Sequence, residues 1–225
     1  MKKLLLLPAV IVVLAGCTAP VDAQRPNQTP AGPPAQGTVH CGYEPGGRAA
    51  READLPPAEN IPATGTAAAT MTLNGTAVAI TLDREAAPCT VNSFLSLAQQ
   101  GFFDDTVCHR VVDQNIYVLQ CGDPSATGMG GPGYTIPDEL DGIAGYPAGT
   151  LAMANTGQPH TGGSQFFIVF DETPLPPQYT VFGTVDQTGI DLASQIAAGG
   201  HDGSSGQAGG GKPLLPADIS SITAG

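Results

Sequence analysis

Short apolar runs, each ended by glycine, proline or aspartate, recur along the chain from about residue 66 to residue 222. Runs of this length with frequent turns predict a mainly β fold, either a sandwich or a closed barrel. The 30 glycines and 21 prolines, with only 12% charged residues, exclude a coiled coil. Beyond an N-terminal hairpin, the predicted strands are 107–112, 116–121, 151–154, 165–170, 180–185 and 219–222.

A hairpin and two helices complete the predicted domain, which begins near Thr66. Apolar residues alternate with polar ones on both sides of Asn74 and Gly75, a pair typical of a type I′ hairpin turn. Pro88 then stands where a helix can begin, and apolar residues follow at helical spacing over about three turns. Residues 190–198, which precede two glycines, predict the second helix.

The N-terminal residues have the composition of an export signal. Two lysines precede an apolar run over 4–14, which is well short of the ~20 residues needed to span a bilayer. Leu-Ala-Gly-Cys at 14–17 resembles the lipobox of bacterial lipoproteins, in which the cysteine is lipidated and becomes the mature N-terminus. We therefore expect a signal peptide over 1–16, an acylated Cys17 and an extracytoplasmic protein anchored to the cell membrane.

The next two segments connect this anchor to the predicted domain over 66–225. Residues 17–39 carry several prolines among alanine, glutamine, threonine and glycine, so they predict a flexible tether that keeps no helix. Residues 40–65 are polar and irregular but contain Tyr43 and Leu55. We expect this second segment to lie packed on the domain.

The charge balance excludes two classes of partner. With 8 Lys+Arg against 20 Asp+Glu, the formal net charge is −12. Such an acidic chain is not suited to neutralising nucleic-acid phosphates or to adhering electrostatically to anionic lipid. We therefore expect no nucleic-acid partner, and membrane contact through the lipid anchor.

Four cysteines remain once Cys17 is assigned to the anchor, an even number that suits disulfide bonding outside the cytoplasm. Three pairings are possible, and buried free thiols are the alternative. Cys108 and Cys121 lie in predicted neighbouring strands, so we favour that pair. Cys41 then pairs with Cys89 and fastens the irregular segment to the domain.

Two further motifs suggest chemistry that the surrounding sequence does not support. His40 and His109 each adjoin a cysteine, but adjacent strand residues point to opposite faces and cannot share a ligand. The glycines of residues 128–133 fit the dinucleotide fingerprint G-x-G-x-x-G, yet no helix follows and Pro132 removes an N–H from the loop. We interpret this stretch as a glycine-rich surface loop, and the sequence implies no metal and no cofactor.

A series of motifs runs in a fixed order through the predicted domain. They are Cys-His-Arg-Val-Val at 108–112, Val-Leu-Gln-Cys-Gly-Asp at 118–123, the glycine loop at 128–134, Leu-Ala-Met-Ala-Asn at 151–155, Gly-Gly-Ser-Gln-Phe-Phe-Ile at 162–168 and Tyr-Thr-Val-Phe-Gly at 179–183. This order resembles that of the cyclophilins, most of all the exported cyclophilin-type peptidyl-prolyl isomerases of actinobacteria. The resemblance implies a closed eight-stranded antiparallel barrel capped by two α-helices, with an active site on its outer face.

The resemblance also implies that Arg110 is the catalytic residue. Rotating an X–Pro bond means losing amide resonance, a barrier of ~18–20 kcal/mol, so a catalyst must stabilise a twisted amide and needs no nucleophile. The prolyl nitrogen gains a lone pair as the amide twists, and a guanidinium can donate a hydrogen bond to it. A structural salt bridge is the alternative role for this arginine.

A set of substrate-binding residues follows from the same resemblance. It comprises Tyr117, Val118, Gln120, Ala154, Asn155, Gln165, Phe167, Leu175 and Tyr179. Phe166 and Phe167 must point to opposite faces of a strand, and only the resemblance assigns Phe167 to the proline pocket. The turn just before Ile116 is two residues longer than is usual in the family, so either Ile116 or Tyr117 could line that pocket.

These expectations describe a membrane-anchored isomerase that acts on proline-containing segments of exported proteins as they fold. Uncatalysed X–Pro bonds take tens to hundreds of seconds to isomerise, which is slow enough to limit folding. Nothing in the sequence suggests an assembly larger than a monomer. The main alternative is a non-catalytic proline-peptide binding module or holdase chaperone on the same fold, and a purely structural envelope lipoprotein is a third interpretation.

Overall fold

The computed structural model describes residues 36–206 and 209–225. The predicted signal peptide, the acylated Cys17 and most of the predicted tether lie outside the described residues. The strands are β1 (Thr38–Val39), β2 (Glu44–Pro45), β3 (Ile61–Pro62), β4 (Thr66–Leu73), β5 (Thr76–Asp83), β6 (Thr106–Val107), β7 (Arg110–Gln114), β8 (Ile116–Cys121), β9 (Tyr134–Thr135), β10 (Thr150–Met153), β11 (Phe166–Val169), β12 (Val181–Val185) and β13 (Asp218–Ala224). The helices are α1 (Pro88–Gln99) and α2 (Gln187–Ala198).

Nine of the described strands form one antiparallel sheet in the order β6-β13-β4-β5-β12-β10-β11-β8-β7. Its terminal strands, β6 and β7, are separated along the chain by Cys108 and His109 alone, so the sheet curls until its two edges come together. The predicted run 107–112 is therefore two strands, because β6 pairs with β13 whereas β7 pairs with β8. The fold is mainly β with two helices, as predicted, and has nine strands in its curled sheet in place of eight.

The main core lies on the inner face of the sheet and against α1. Apolar residues alternate along the β4–β5 hairpin, whose turn at Asn74 and Gly75 has positive φ at both residues, as a type I′ turn requires. The ring of Phe94 in α1 packs with centroid distances of 5.2–5.5 Å against three other buried phenylalanines. These are Phe103, Phe166 and Phe182.

Helix α1 begins at Pro88, as predicted, and is capped from a distant part of the chain. The carboxylate of Glu139 accepts hydrogen bonds from the N–H groups of Cys89 and Thr90, both at 2.9 Å. Helix α2 begins three residues earlier than predicted because its first turn, 187–189, carries no apolar residue to mark it. No helix of the described ranges is long and apolar enough to cross a membrane.

Residues 36–65 form an N-terminal strap along the domain. Strand β1 pairs with β3 inside the strap, and β2 pairs with β9 of the domain. Disulfides join Cys41 of the strap to Cys89 of α1, and Cys108 to Cys121, which is the pairing favoured from the sequence. Thr38 and Val39, which were predicted to end the tether, are instead paired with β3 in the folded chain.

Candidate active site

One line of side chains crosses four strands on the outer face of the sheet. Arg110 of β7 lies opposite Gln120 of β8, and Gln120 lies opposite Phe167 of β11. Phe167 in turn lies opposite Ala152 of β10. Directly opposed residues of antiparallel strands project from the same face, so the register aligns these four side chains. The predicted catalytic arginine and the predicted proline pocket are therefore neighbours on one surface.

A chain of hydrogen bonds fixes the polar part of this surface. Nη1 of Arg110 donates to Oε1 of Gln120 at 3.1 Å, and Nε2 of Gln120 donates to Oε1 of Gln165 at 2.8 Å. Nε2 of Gln165 donates to the carbonyl of Gly130 at 2.9 Å. Each of the two glutamine amides thus accepts a hydrogen bond at its oxygen and donates one from its nitrogen, which sets its orientation before any ligand arrives.

A glycine segment that the sequence analysis did not single out holds Arg110 from a second side. Nε of Arg110 donates to the carbonyl of Gly209 at 3.1 Å, and Val111 exchanges two backbone hydrogen bonds with Gly211. Gly210 between them has positive φ, and a Cβ at this position would run into the Val111 carbonyl. A run of glycines has no apolar periodicity, so the sequence alone indicates no more than a loop here.

Phe167 lies at the centre of a second apolar cluster, on the outer face beside the arginine. Phe166 is fully buried in the main core, so the structure places Phe167 on the outer face, as the resemblance implied. The ring of Tyr179 stands edge-on to that of Phe167, with centroids 5.4 Å apart. The cluster comprises Val112, Ile116, Val118, Ile143, Tyr146, Ala152, Ala154, Phe167, Val169, Leu175, Tyr179 and Val181.

Tyr117, predicted to line the proline pocket with Ile116 as its alternative, is not part of this cluster. Val118 and Gln120 project from the outer face of β8, so Tyr117, one residue before Val118, projects from the other face. Its ring packs against that of Phe170, with centroids 6.0 Å apart. Ile116 lies in the cluster in its place, because the longer turn extends the β7–β8 hairpin in register.

Tyr146 belongs to the cluster and was missed by the sequence analysis. Its hydroxyl accepts a hydrogen bond from the N–H of Tyr179 at 3.0 Å and donates one to the carbonyl of the same residue at 3.1 Å. Burial raises the pKa of Tyr146, so this hydroxyl stays protonated and able to donate. These bonds hold Tyr179 against Phe167. Tyr146 stands between a glycine and a proline in an irregular stretch, where no periodic pattern could mark it.

A cavity of about 570 Å³ adjoins the polar row, with Gln120 and Gln165 in its lining. Ala154 and Asn155, both expected in the substrate site, also line it. Nδ2 of Asn155 donates to the carbonyl of Gln178 at 2.8 Å, so this side chain secures the loop that leads to Tyr179. The outer-face surface formed by Phe167 and the polar row, which we call the groove, therefore continues into this cavity on the side away from Phe167.

The glycine-rich loop after β8 forms another wall of this cavity. The buried carboxylate of Asp123 organises it, because it accepts hydrogen bonds from the N–H groups of Ser125, Thr127 and Gly130 at 2.8–3.2 Å. Burial acts to raise the pKa of Asp123, but the hydrogen bonds from Ser125 and Gly130 outweigh it and bring the pKa below its ordinary value. The stretch is a surface loop, as interpreted from the sequence.

Comparison with known families agrees with this geometry. Residues 68–224 match the family model for cyclophilin type peptidyl-prolyl cis-trans isomerases. The chain belongs to the cyclophilin family. The curled sheet and its two helices are thus those of a cyclophilin domain.

Bacterial cyclophilins are similar to this chain over much of its length. The "probable peptidyl-prolyl cis-trans isomerase B" of Mycobacterium leprae is 44% identical over 177 residues, which are 72% of this chain and 60% of that protein. The protein of the same name from Mycobacterium tuberculosis is 41% identical over 213 residues, 88% of this chain and 67% of that protein. The peptidyl-prolyl cis-trans isomerase B of Bacillus subtilis is 44% identical over 128 residues, 56% of this chain and 87% of that protein. The chain therefore spans less than two thirds of the M. leprae relative.

Solved structures show the same fold. A cyclophilin type peptidyl-prolyl cis-trans isomerase of Cryptosporidium parvum superposes with a TM-score of 0.60 at 26% identity, over 72% of this chain and 98% of that one. A structure of that protein in the presence of the dipeptide Ala-Pro superposes with a TM-score of 0.59 at 26% identity, over 70% of this chain and 98% of that one.

Proposed function

We propose that this cyclophilin is a peptidyl-prolyl cis-trans isomerase in which Arg110 is the catalytic residue. The observation that carries the proposal is the strand register, which puts Arg110, Gln120 and Phe167 side by side on one outer face. A proline ring seated on Phe167 brings its nitrogen towards the guanidinium of Arg110. The names of the bacterial relatives support the same activity.

Arg110 acts on the amide only as it twists. The barrier of ~18–20 kcal/mol is the loss of amide resonance, and no bond to the protein has to form. The twisted prolyl nitrogen carries a lone pair that the planar amide lacks, so a hydrogen bond from Arg110 stabilises the transition state more than the ground state. Partial burial lowers the pKa of Arg110 and the neighbouring Tyr179 raises it, and a guanidinium stays charged at neutral pH throughout.

The remaining residues of the site bind and orient the substrate chain. Val118, Leu175 and Tyr179 enclose the proline ring on Phe167 with apolar surface. Gln120 and Gln165 hold the guanidinium in place through their shared hydrogen bonds. Ala154 and Asn155 line the groove where it continues into the cavity and receive the residues next to the proline.

Exchange NMR on an Ala-Pro peptide tests this function with the full chain in detergent. Cis–trans exchange that is faster than in the free peptide, together with shifted peptide resonances, is the result that an isomerase gives. Shifted resonances with exchange at the uncatalysed rate would instead indicate a non-catalytic proline-peptide binding module or holdase.

We also propose that the protein works outside the cytoplasmic membrane as a monomer, on proline-containing segments of exported proteins, and is anchored through a lipidated Cys17. The apolar leader over 1–16 and the Leu-Ala-Gly-Cys sequence support the anchor. Two disulfides support an oxidising compartment. Metabolic labelling with radioactive palmitate should mark the wild type in the membrane fraction, and Cys17→Ala should abolish the label. An unlabelled wild type in the cytoplasm would contradict this location.

A further inference from the structure

The cavity beside the polar row has one charged residue in its lining, and the strap supplies it. Arg48 lines the cavity with Gln120, Gln165 and the glycines of 128–131. Among the lining residues that the structure describes, no other is Asp, Glu, Lys or Arg. In a chain with 20 Asp+Glu against 8 Lys+Arg, a cavity with a cation and no acid runs against the overall composition.

Backbone hydrogen bonds hold Arg48 at this cavity from both sides. Before it, the N–H of Gly46 donates to the carbonyl of Gly133 at 3.0 Å. After it, the N–H of Ala50 donates to the carbonyl of Gly131 at 2.9 Å. The short loop that carries Arg48 is therefore fastened at each end to the glycine-rich wall of the cavity.

The side chain of Arg48 has no hydrogen-bond partner among the described residues, unlike those of Arg51 and Arg84. Arg51 donates from Nη1 to three carbonyls after α1 at 2.7–2.9 Å, and Arg84 donates to the carbonyl of Thr66 at 3.3 Å. Arg48 is exposed and makes no hydrogen bond or ion pair within residues 36–206 and 209–225. Asp123, in the adjoining loop, is buried and engaged by its own loop. The Arg48 guanidinium is therefore available to a ligand in the cavity.

We propose that Arg48 selects proline-containing substrates that carry an aspartate or glutamate within a few residues of the proline. The proposal rests on the isomerase function, because it takes the cavity to receive the chain next to the bound proline. A guanidinium donates two parallel hydrogen bonds to a carboxylate, which favours binding of an acidic peptide. The acidic remainder of the protein opposes that binding, because it repels a negatively charged peptide. Since the pair is partly exposed, the preference is about two- to five-fold in Kd and weakens with salt.

Peptide pairs that differ only in glutamate or glutamine test this selection. Within a pair, one peptide carries Glu and its twin carries Gln at the same position, and three such positions before or after a single proline are compared. NMR titration at low ionic strength measures the Kd of each peptide. We compare the full wild-type chain with Arg48→Gln and Arg84→Gln, which remove the same charge inside and outside the cavity. Wild type and Arg84→Gln should bind one Glu peptide about two- to five-fold more tightly than its Gln twin. Arg48→Gln should bind that Glu peptide no more tightly than its Gln twin, because only the repulsion from the acidic remainder of the protein is left.

The outcomes separate this proposal from the isomerase function. A Glu preference that persists in Arg48→Gln, or no preference at any position in the wild type, would overturn the role of Arg48. A wild type that accelerates exchange without preferring Glu overturns the selection and leaves the isomerase in place. A wild type that binds but does not accelerate exchange overturns the isomerase, and the Kd comparison still decides the role of Arg48.

Discussion

Removing the Cys41–Cys89 disulfide is expected to lower the free energy of unfolding by about 4 kcal/mol. The bond ties the strap to α1 across a sequence separation of 48 residues. Opening a loop of that length returns about 14 cal/mol/K of chain entropy to the unfolded state, which is about 4 kcal/mol at 25 °C. Other contacts of the strap, such as the hydrogen bond from the Tyr43 hydroxyl to the Cys89 carbonyl at 2.9 Å, remain available to the folded variant.

Urea unfolding of the Cys41→Ala/Cys89→Ala variant measures this loss. If the strap and the domain unfold together, the m-value is unchanged, and with m near ~2 kcal/mol/M the midpoint falls by ~2 M. The Cys108→Ala/Cys121→Ala variant is the comparison, because its sequence separation of 13 residues gives about 3 kcal/mol on the same argument. The longer loop should therefore give the larger loss.

A midpoint shift below about 0.5 M for Cys41→Ala/Cys89→Ala, with m unchanged, would refute this reasoning. It would mean that the cross-link restricts the unfolded chain much less than the chain-entropy argument predicts for a loop of this length. Catalysed exchange of a non-acidic peptide should stay at the wild-type rate below the transition. The reason is that β7, β8 and β11, which carry Arg110, Gln120 and Phe167, are not joined by this bond.

Three further predictions rest on single residues. Glu139→Ala removes the acceptor for the first N–H groups of α1 and should lower the free energy of unfolding, measured by urea titration, by about 1–2 kcal/mol. Replacing the exposed Glu172 by alanine is the control and should leave the free energy of unfolding unchanged. Equal losses in the two variants would contradict the capping role of Glu139. Burial lowers the pKa of His109 below its ordinary value of 6.5, so His109 binds a proton at a higher pH in the unfolded chain than in the folded chain. The free energy of unfolding of the wild type therefore falls as the pH falls through 6.5. The free energy of unfolding of His109→Gln should fall less than that of the wild type between about pH 7.5 and 5.5. An identical pH dependence of stability in the two proteins would refute the assignment of this effect to His109. Gly210→Ala puts a Cβ against a neighbouring carbonyl and should slow catalysed exchange by displacing the segment that holds Arg110; an unchanged NMR exchange rate would contradict that.

The elements that depend on local pattern could be predicted from the sequence. The Asn74-Gly75 hairpin and the start of α1 at Pro88 are set by turn chemistry and apolar spacing over a few residues. The division of 107–112 into two strands could not be predicted, because each half is defined by a different distant partner strand. The local pattern of residues 107–112 is compatible with either arrangement.

The site was predictable only where a resemblance supplied what periodicity lacks. Alternation shows that Phe166 and Phe167 face apart, but the sheet pairing decides which one faces outward. The same alternation places Tyr117 away from the site, since the lengthened hairpin keeps its register. Tyr146 and Arg48 lie in irregular segments that tertiary hydrogen bonds bring to the groove, and no local signal marks either.

Replacing Arg110 by alanine tests the central claim most directly. NMR measures the cis–trans exchange rate at saturating Ala-Pro peptide and the Kd. Arg84→Ala is the control, because it removes an arginine whose side chain donates to the Thr66 carbonyl and not to the candidate site. Loss of one electrostatic donor to the transition state predicts an exchange rate about 10²–10³-fold lower in Arg110→Ala, with Kd changed only a few-fold. An Arg110→Ala variant that keeps the wild-type rate, or that loses binding and catalysis in equal proportion, would contradict the assignment of Arg110 to the twisted amide.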